Sequence, residues 1–91
     1  MISVRIPPPL RPETSGQALV EASGGTVRAV LADLISRFPT LGSRVLEDGN
    51  LARFVNVYVG GEDVRTLEGL DTPVSEGTTV ILLPAVAGGL Q

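Results

Sequence analysis

The sequence predicts an α+β fold in which one main helix packs on one face of a mixed sheet of four to five strands. Three observations carry this expectation. Helical periodicity occurs in one stretch, Val27 to Phe38. Short apolar runs of strand type lie on both sides of it. The chain has 91 residues, a length for one domain. A domain of this size buries roughly 60–65% of its unfolded surface, enough for one modest core without disulfides.

Ile2, Val4 and Ile6 alternate with Ser3 and Arg5, the pattern of a half-buried strand. Pro7-Pro8-Pro9 stops it, because proline cannot donate to a ladder. Leu10 to Gly16 is turn-rich and is expected to be an exposed connection. Gln17 to Ala22 reads as a second, weaker strand, forming an antiparallel hairpin with the first. Thr26 then suits a helix N-cap, where its hydroxyl accepts from an orphan backbone N–H. Val27, Val30, Leu31, Leu34, Ile35 and Phe38 make one apolar stripe, with Arg28, Asp33 and Arg37 on the other face. Pro39 ends the helix by pushing Phe38 out of the helical region. Thr40 to Asn50 reads as irregular, with a short helical turn near Ser43 to Leu46.

Phe54 to Val59 is a strand whose valines share one face and whose Phe54, Asn56 and Tyr58 share the other. Gly60-Gly61 turns the chain, and Asp63 to Leu67 can return as a short edge strand. Leu70 to Val74, with Pro73, is a compact turn. Thr78 to Leu83 is the last strand, closed by Pro84, and no further helix is expected. One helix must therefore cover one face of one sheet. That arrangement is the β-grasp, with the first and last strands side by side in the sheet centre. Residues 1–84 form the domain in this reading, and 85–91 a flexible tail.

Composition removes several classes of chemistry. The chain has neither cysteine nor histidine, so no imidazole base, thiol nucleophile or usual zinc ligand set exists. Ten acids face seven bases, all of them arginine, giving a net charge of −3. A mildly acidic domain without a basic stripe is a poor match for nucleic acid. No apolar run approaches the roughly 18 residues needed to span a membrane, and no signal pattern opens the chain. A cytoplasmic protein with no membrane association is expected. Glu47-Asp48, Glu62-Asp63 and Glu76 fall in turns, where acids are solvated, and paired carboxylate catalysis needs a cleft between them. No bound metal, no bound cofactor and no catalytic side chain are expected.

The chain carries three glycine pairs, so Gly-Gly alone says little. Gly24-Gly25 enters the helix, and Gly60-Gly61 is a turn. Gly88-Gly89 lies outside every expected element. A frayed terminus is one reading of it. The other is functional: a tail without bulk can thread a narrow channel in a partner. Ala85, Val86, Ala87, Gly88 and Gly89 together reach about 15–18 Å when extended. The last strand adds a second clue. Val80 and Leu82 point toward the helix, which leaves Ile81 and Leu83 exposed with Tyr58 as a docking face.

The segment from Val55 to Gly89, with Gly69-Leu70-Asp71, Glu76-Gly77 and the ending Pro84-Ala85-Val86-Ala87-Gly88-Gly89, resembles the C-terminal half of the ubiquitin-like sulfur carriers. It is most similar to the CysO type and more distantly to the MoaD and ThiS carriers, and the likeness covers nearly the whole chain. The resemblance implies that an E1-like adenylyltransferase/sulfurtransferase adenylates the C-terminal glycine with ATP and converts it to a thiocarboxylate on Gly89. A sulfur-accepting synthase, cysteine-synthase-like or other, then takes the sulfur. Carriers ready to react end at the second glycine, whereas here Leu90-Gln91 follows. Some relatives are trimmed by a JAMM-type metalloprotease, and the same processing is expected of Leu90 and Gln91. A remnant of cloning is the alternative reading of those two residues. Three other functions stay open: a MoaD-like molybdopterin synthase small subunit, a β-grasp interaction module without C-terminal chemistry, and a modifier joined to lysines.

Overall fold

The computed structural model describes residues 1–84. β1 (Ile2–Arg5) buries Ile2 and Val4 and exposes Arg5, as its alternation requires. β2 (Leu19–Ala22) returns antiparallel to it, with Ile2 opposite Ala22 and Arg5 opposite Leu19. α1 (Val27–Arg37) follows, and Thr26 caps it: its Oγ1 accepts from the Ala29 N–H at 3.2 Å. α2 (Pro39–Val45) leads into a two-residue ribbon, β3 (Leu46–Glu47) with β4 (Asn50–Leu51). β5 (Val55–Val59), β6 (Glu62–Asp63) and β7 (Thr79–Pro84) complete the main sheet. Its order is β2-β1-β7-β5-β6. β1 and β7 are parallel neighbours in the centre, as expected, and the other pairs are antiparallel.

The core lies between this sheet and the helices. Val4, Val57, Val80 and Leu82 from the sheet meet Val27, Val30, Leu31 and Leu34 from α1, all buried. The β5–β6 turn uses Gly60 at φ +60° and Gly61 at φ +84°, the two positive values that a two-residue hairpin of the right twist needs.

Three expectations are corrected. The Leu10–Gly16 connection is not exposed throughout. Pro8–Thr14 winds into a 3-10 helix and buries Leu10 and Thr14. Prolines tolerate this tight coil because few of its N–H groups need partners. The buried Thr14 hydroxyl lies 3.2 Å from the Arg11 carbonyl and 2.9 Å from that of Gln17.

The second correction concerns Pro39. It ends α1 but also opens α2, where a first-turn residue needs no N–H. Leu41 and Val45 of α2 are fully buried, so a second, shorter helix joins the core beside the main one. A Cβ on Gly42 would stand 3.0 Å from the Ile35 side chain, which shows how closely α2 approaches α1.

The third correction is the edge strand. Only Glu62–Asp63 pairs with β5. The Asp63 carboxylate then accepts from the Arg65 N–H at 2.9 Å and starts a 3-10 turn, Val64–Thr66. A short polar side chain that satisfies nearby backbone competes with the ladder in this way. The turn drops Val64 into the core. The compact segment around Pro73 is as expected, and it braces the helix start. Val27 N–H donates to the Thr72 carbonyl and Val74 N–H to that of Gly25, each at 3.0 Å.

The two glycines before α1 differ sharply. A Cβ on Gly24 would stand 2.6 Å from the Val30 backbone nitrogen, whereas one on Gly25 meets nothing within 4 Å. Gly24→Ala is expected to cost about 1–3 kcal/mol by overpacking, and Gly25→Ala should fall within about 0.5 kcal/mol of the parent. Urea unfolding of both variants checks this, and equal midpoints would contradict it. Leu41→Ala should cost about 2–5 kcal/mol if α2 belongs to the core, read from the same curves.

Candidate functional site

The helices cover one face of the sheet and leave the other open. Residues alternate across a strand, so β7 divides its side chains between the two. Val80 and Leu82 are buried, while Ile81 is half-buried and Leu83 is 42% exposed. Tyr58 stands directly opposite Ile81 on β5, and Asn56 opposite Leu83. On the other flank, Arg5 of β1 sits beside Ile81 in parallel register, and Leu19 sits beside Arg5. One row therefore runs Leu19, Arg5, Ile81, Tyr58, Asp63 across all five strands. The three residues expected to form a docking face, Tyr58, Ile81 and Leu83, do lie together on the open face.

Leu19 extends the patch, and Phe54 is also exposed. Leu19 is 54% exposed at the β2 edge, and Phe54, at 56%, precedes β5 with the Arg53 guanidinium 5.8 Å from its ring centre. The sequence groups Phe54 with Asn56 and Tyr58 by alternation, although Phe54 lies in the turn before β5, and nothing in the sequence marks Leu19. Read by itself, Gln17 to Ala22 does not say which strand stands beside it or in what register.

The end of β7 borders a shallow cavity of about 230 Å³. Arg5, Pro7, Pro8, Arg11, Leu83 and Pro84 line it. The proline turn thus forms one wall of the place where β7 finishes. Arg11 is anchored there by its Nε–H, which donates to the Ile6 carbonyl at 3.0 Å. Arg65 stands on the β5 side, donating to Asn56 Oδ1 at 2.8 Å and to the Ala52 carbonyl at 2.9 Å.

Gly89, expected to carry the reactive group, lies outside the described residues. So do Ala85, Val86, Ala87 and Gly88 of the tail, and Leu90 and Gln91. Of the turn acids, Glu76 pairs with the Met1 amine and Asp63 caps its 3-10 turn; outside that set, Asp71 pairs with Arg28 at 3.2 Å. Among the described residues, no group of three or more metal-ligating side chains comes together, and no helix is long and apolar enough to cross a membrane.

A β-grasp domain whose sheet keeps an apolar face open beside its central last strand belongs to the ubiquitin-like class of small carrier and modifier proteins. Within that class the chain belongs to the ThiS family, whose model matches residues 4–89. It is 47% identical over 91 residues to the sulfur carrier protein CysO of Mycobacterium tuberculosis, covering 97% of this chain and 98% of that one. A chain in the crystal structure of the BexX/CysO complex of Amycolatopsis orientalis superposes with a TM-score of 0.92 at 45% identity, covering 98% of this chain and all 100% of that one. The small archaeal modifier protein 1 of Methanosarcina acetivorans is more distant, with a TM-score of 0.83 at 30% identity and coverage of 97% and 95%.

Neighbouring residues of β7 should respond oppositely to truncation. Leu82→Ala removes a fully buried side chain and is expected to cost about 2–5 kcal/mol. Leu83→Ser should change stability by no more than about 0.5 kcal/mol. Thermal melts of both variants test whether the face carrying Leu83 is free of the domain's own packing.

Proposed function

We propose that this protein is a sulfur carrier that acts through Gly89 and supplies no catalytic side chain of its own. The match to the ThiS family supports this reading most directly, because it runs through the sheet and ends at residue 89, the second glycine of the pair. The carrier name of the CysO relative points the same way. A chain without cysteine or histidine suits a substrate-like role, in which partner enzymes bring the reactive groups.

The chemistry proceeds in two exchanges. A Gly89 carboxylate oxygen attacks the α-phosphorus of ATP in an E1-like partner, forming the acyl-phosphate bond and releasing pyrophosphate. Sulfide sulfur then attacks the acyl carbon, AMP leaves with the carboxyl oxygen it had captured, and Gly89 ends as a thiocarboxylate. A sulfur-accepting synthase draws on that sulfur, to make cysteine or a thio-containing metabolite. ATP is thus a substrate of the partner, and the carrier holds no cofactor. The crystallised BexX/CysO complex concerns a relative, and it supports the expectation that such carriers dock as folded domains on partner proteins.

Leu90 and Gln91 follow Gly89 in this sequence, so the Gly89 carboxyl is engaged in a peptide bond. Cleavage of that bond by a JAMM-type metalloprotease frees it. Two forms of the protein test the proposal: the chain ending at Gln91, and a chain ending at Gly89. Each is incubated with the E1-like partner, ATP and sulfide, and its intact mass is measured. The chain ending at Gly89 should gain the mass that replaces one oxygen by sulfur, and the longer chain should not change. No gain in either form, with a partner that hydrolyses ATP on another carrier, would refute the reading.

The likeness to a small archaeal modifier protein favours a second reading, attachment of the same glycine to lysines of other proteins. Isopeptide-linked conjugates in extracts from cells making the Gly89-ended chain would support it, and a thiocarboxylate without conjugates would leave sulfur transfer alone.

A further inference from the structure

The seven arginines divide into two groups. Three lie on the helix and loop side, and each has an acid close by: Arg28 with Asp71 at 3.2 Å, Arg37 with Asp33 at 3.2 Å, and Arg44 with Glu13 at 3.4 Å. The other four, Arg5, Arg11, Arg53 and Arg65, have no salt bridge among the described residues. All four gather around the end of β7. Arg5 and Arg11 line the cavity with Leu83 and Pro84. Arg65 is bonded to Asn56, the residue opposite Leu83. Arg53 comes two residues before Val55, which is opposite Pro84.

The open face therefore has a charge gradient along β7. Its start, at Thr79, has Ser3 beside it and Glu21 beyond. Its end has Arg5 and Arg11 on the β1 flank and Arg65 on the β5 flank, with Arg53 just before β5. On the intervening row Asp63 is the one acid, and its carboxylate accepts from the Arg65 backbone N–H rather than from a guanidinium. A protein of net charge −3 thus keeps its uncompensated positive charge in one place, around an apolar patch.

We propose that Arg5, Arg11, Arg53 and Arg65 form a cationic collar that docks on an acidic protein surface surrounding the active-site entrance of the activating partner. This rests on the carrier reading above. The collar surrounds the strand end that leads to Gly89, so it touches the rim of any channel that the tail enters. Charges at a rim act mainly on encounter and orientation, while the central apolar residues hold the complex. Four clustered arginines on an acidic domain match a protein rim better than nucleic acid, which needs a longer positive track.

The decisive measurement is association of the Gly89-ended chain with its E1-like adenylyltransferase, followed by stopped flow at several salt concentrations without ATP. Arg5→Glu/Arg53→Glu is the collar variant, since among the described residues neither side chain makes a hydrogen bond within the domain. Arg28→Glu/Arg37→Glu reverses the same charge on the helix side. The collar variant should associate roughly tenfold more slowly and lose most of the salt dependence. The helix-side variant should keep both within about twofold, since exposed charges far from the contact are screened. Equal slowing in both variants, no slowing in the collar variant, or no binding of the parent would each overturn the collar. Adenylation is read in a separate reaction with the same partner and ATP, by pyrophosphate release: adenylation with a charge-insensitive association rate would sink the collar and leave the carrier function standing. Charge-sensitive binding without adenylation would do the reverse.

Discussion

The parallel pairing of β1 with β7 in the centre of the sheet is the constraint on which the other elements depend. Parallel neighbours cannot be joined by a tight turn, so the whole chain between Arg5 and Thr79 has to serve as the crossover. Everything else is packed into that crossover. β2 completes one flank, α1 and α2 close the core, and β5 with β6 builds the other flank. The pairing also holds the last strand between two others, since β7 is bonded to β1 on one side and β5 on the other. A strand in that position is well fixed.

Two faces with different tasks follow from the same strand. Val80 and Leu82 are buried in the core, while Ile81 is half-buried and Leu83 exposed on the other side. The face that Ile81 and Leu83 share with Tyr58 is left open by the helices. An apolar surface that the fold leaves open is available to another protein, and it lies beside the end of β7. The arginines add direction to it. Where an arginine can be neutralised within the domain, on the helix side, it is; around the strand end it is not.

Much of this is legible in the residues because period and punctuation agree. Val27 to Leu34 repeats at helical spacing, Thr26 caps it, and the β1 alternation is clean. Gly60-Gly61 stands between two strand runs, where its backbone freedom is needed. Pro39 is harder, because one proline is both a stop for α1 and a start for α2, and the seven residues of α2 are too few for periodicity to show. The proline-rich stretch before β2 misleads for a similar reason: residues that favour turns can still coil tightly enough to bury Leu10 and Thr14. The end of the expected edge strand is decided by one carboxylate, that of Asp63, bonding a backbone N–H two residues on. At the site, alternation suffices to put Tyr58, Ile81 and Leu83 on one face. The division of the arginines is invisible in the sequence, because which acid lies near which base is a property of the folded chain.

The central place of β7 also has a mechanical side. On the carrier reading proposed above, a partner that holds the C-terminal segment would pull along the axis of β7. That load falls in parallel on the ladders to β1 and β5, which must slip together rather than unzip one bond at a time. A strand at the sheet's edge would peel away under the same pull. The domain can therefore bear a pull on its last strand without unravelling.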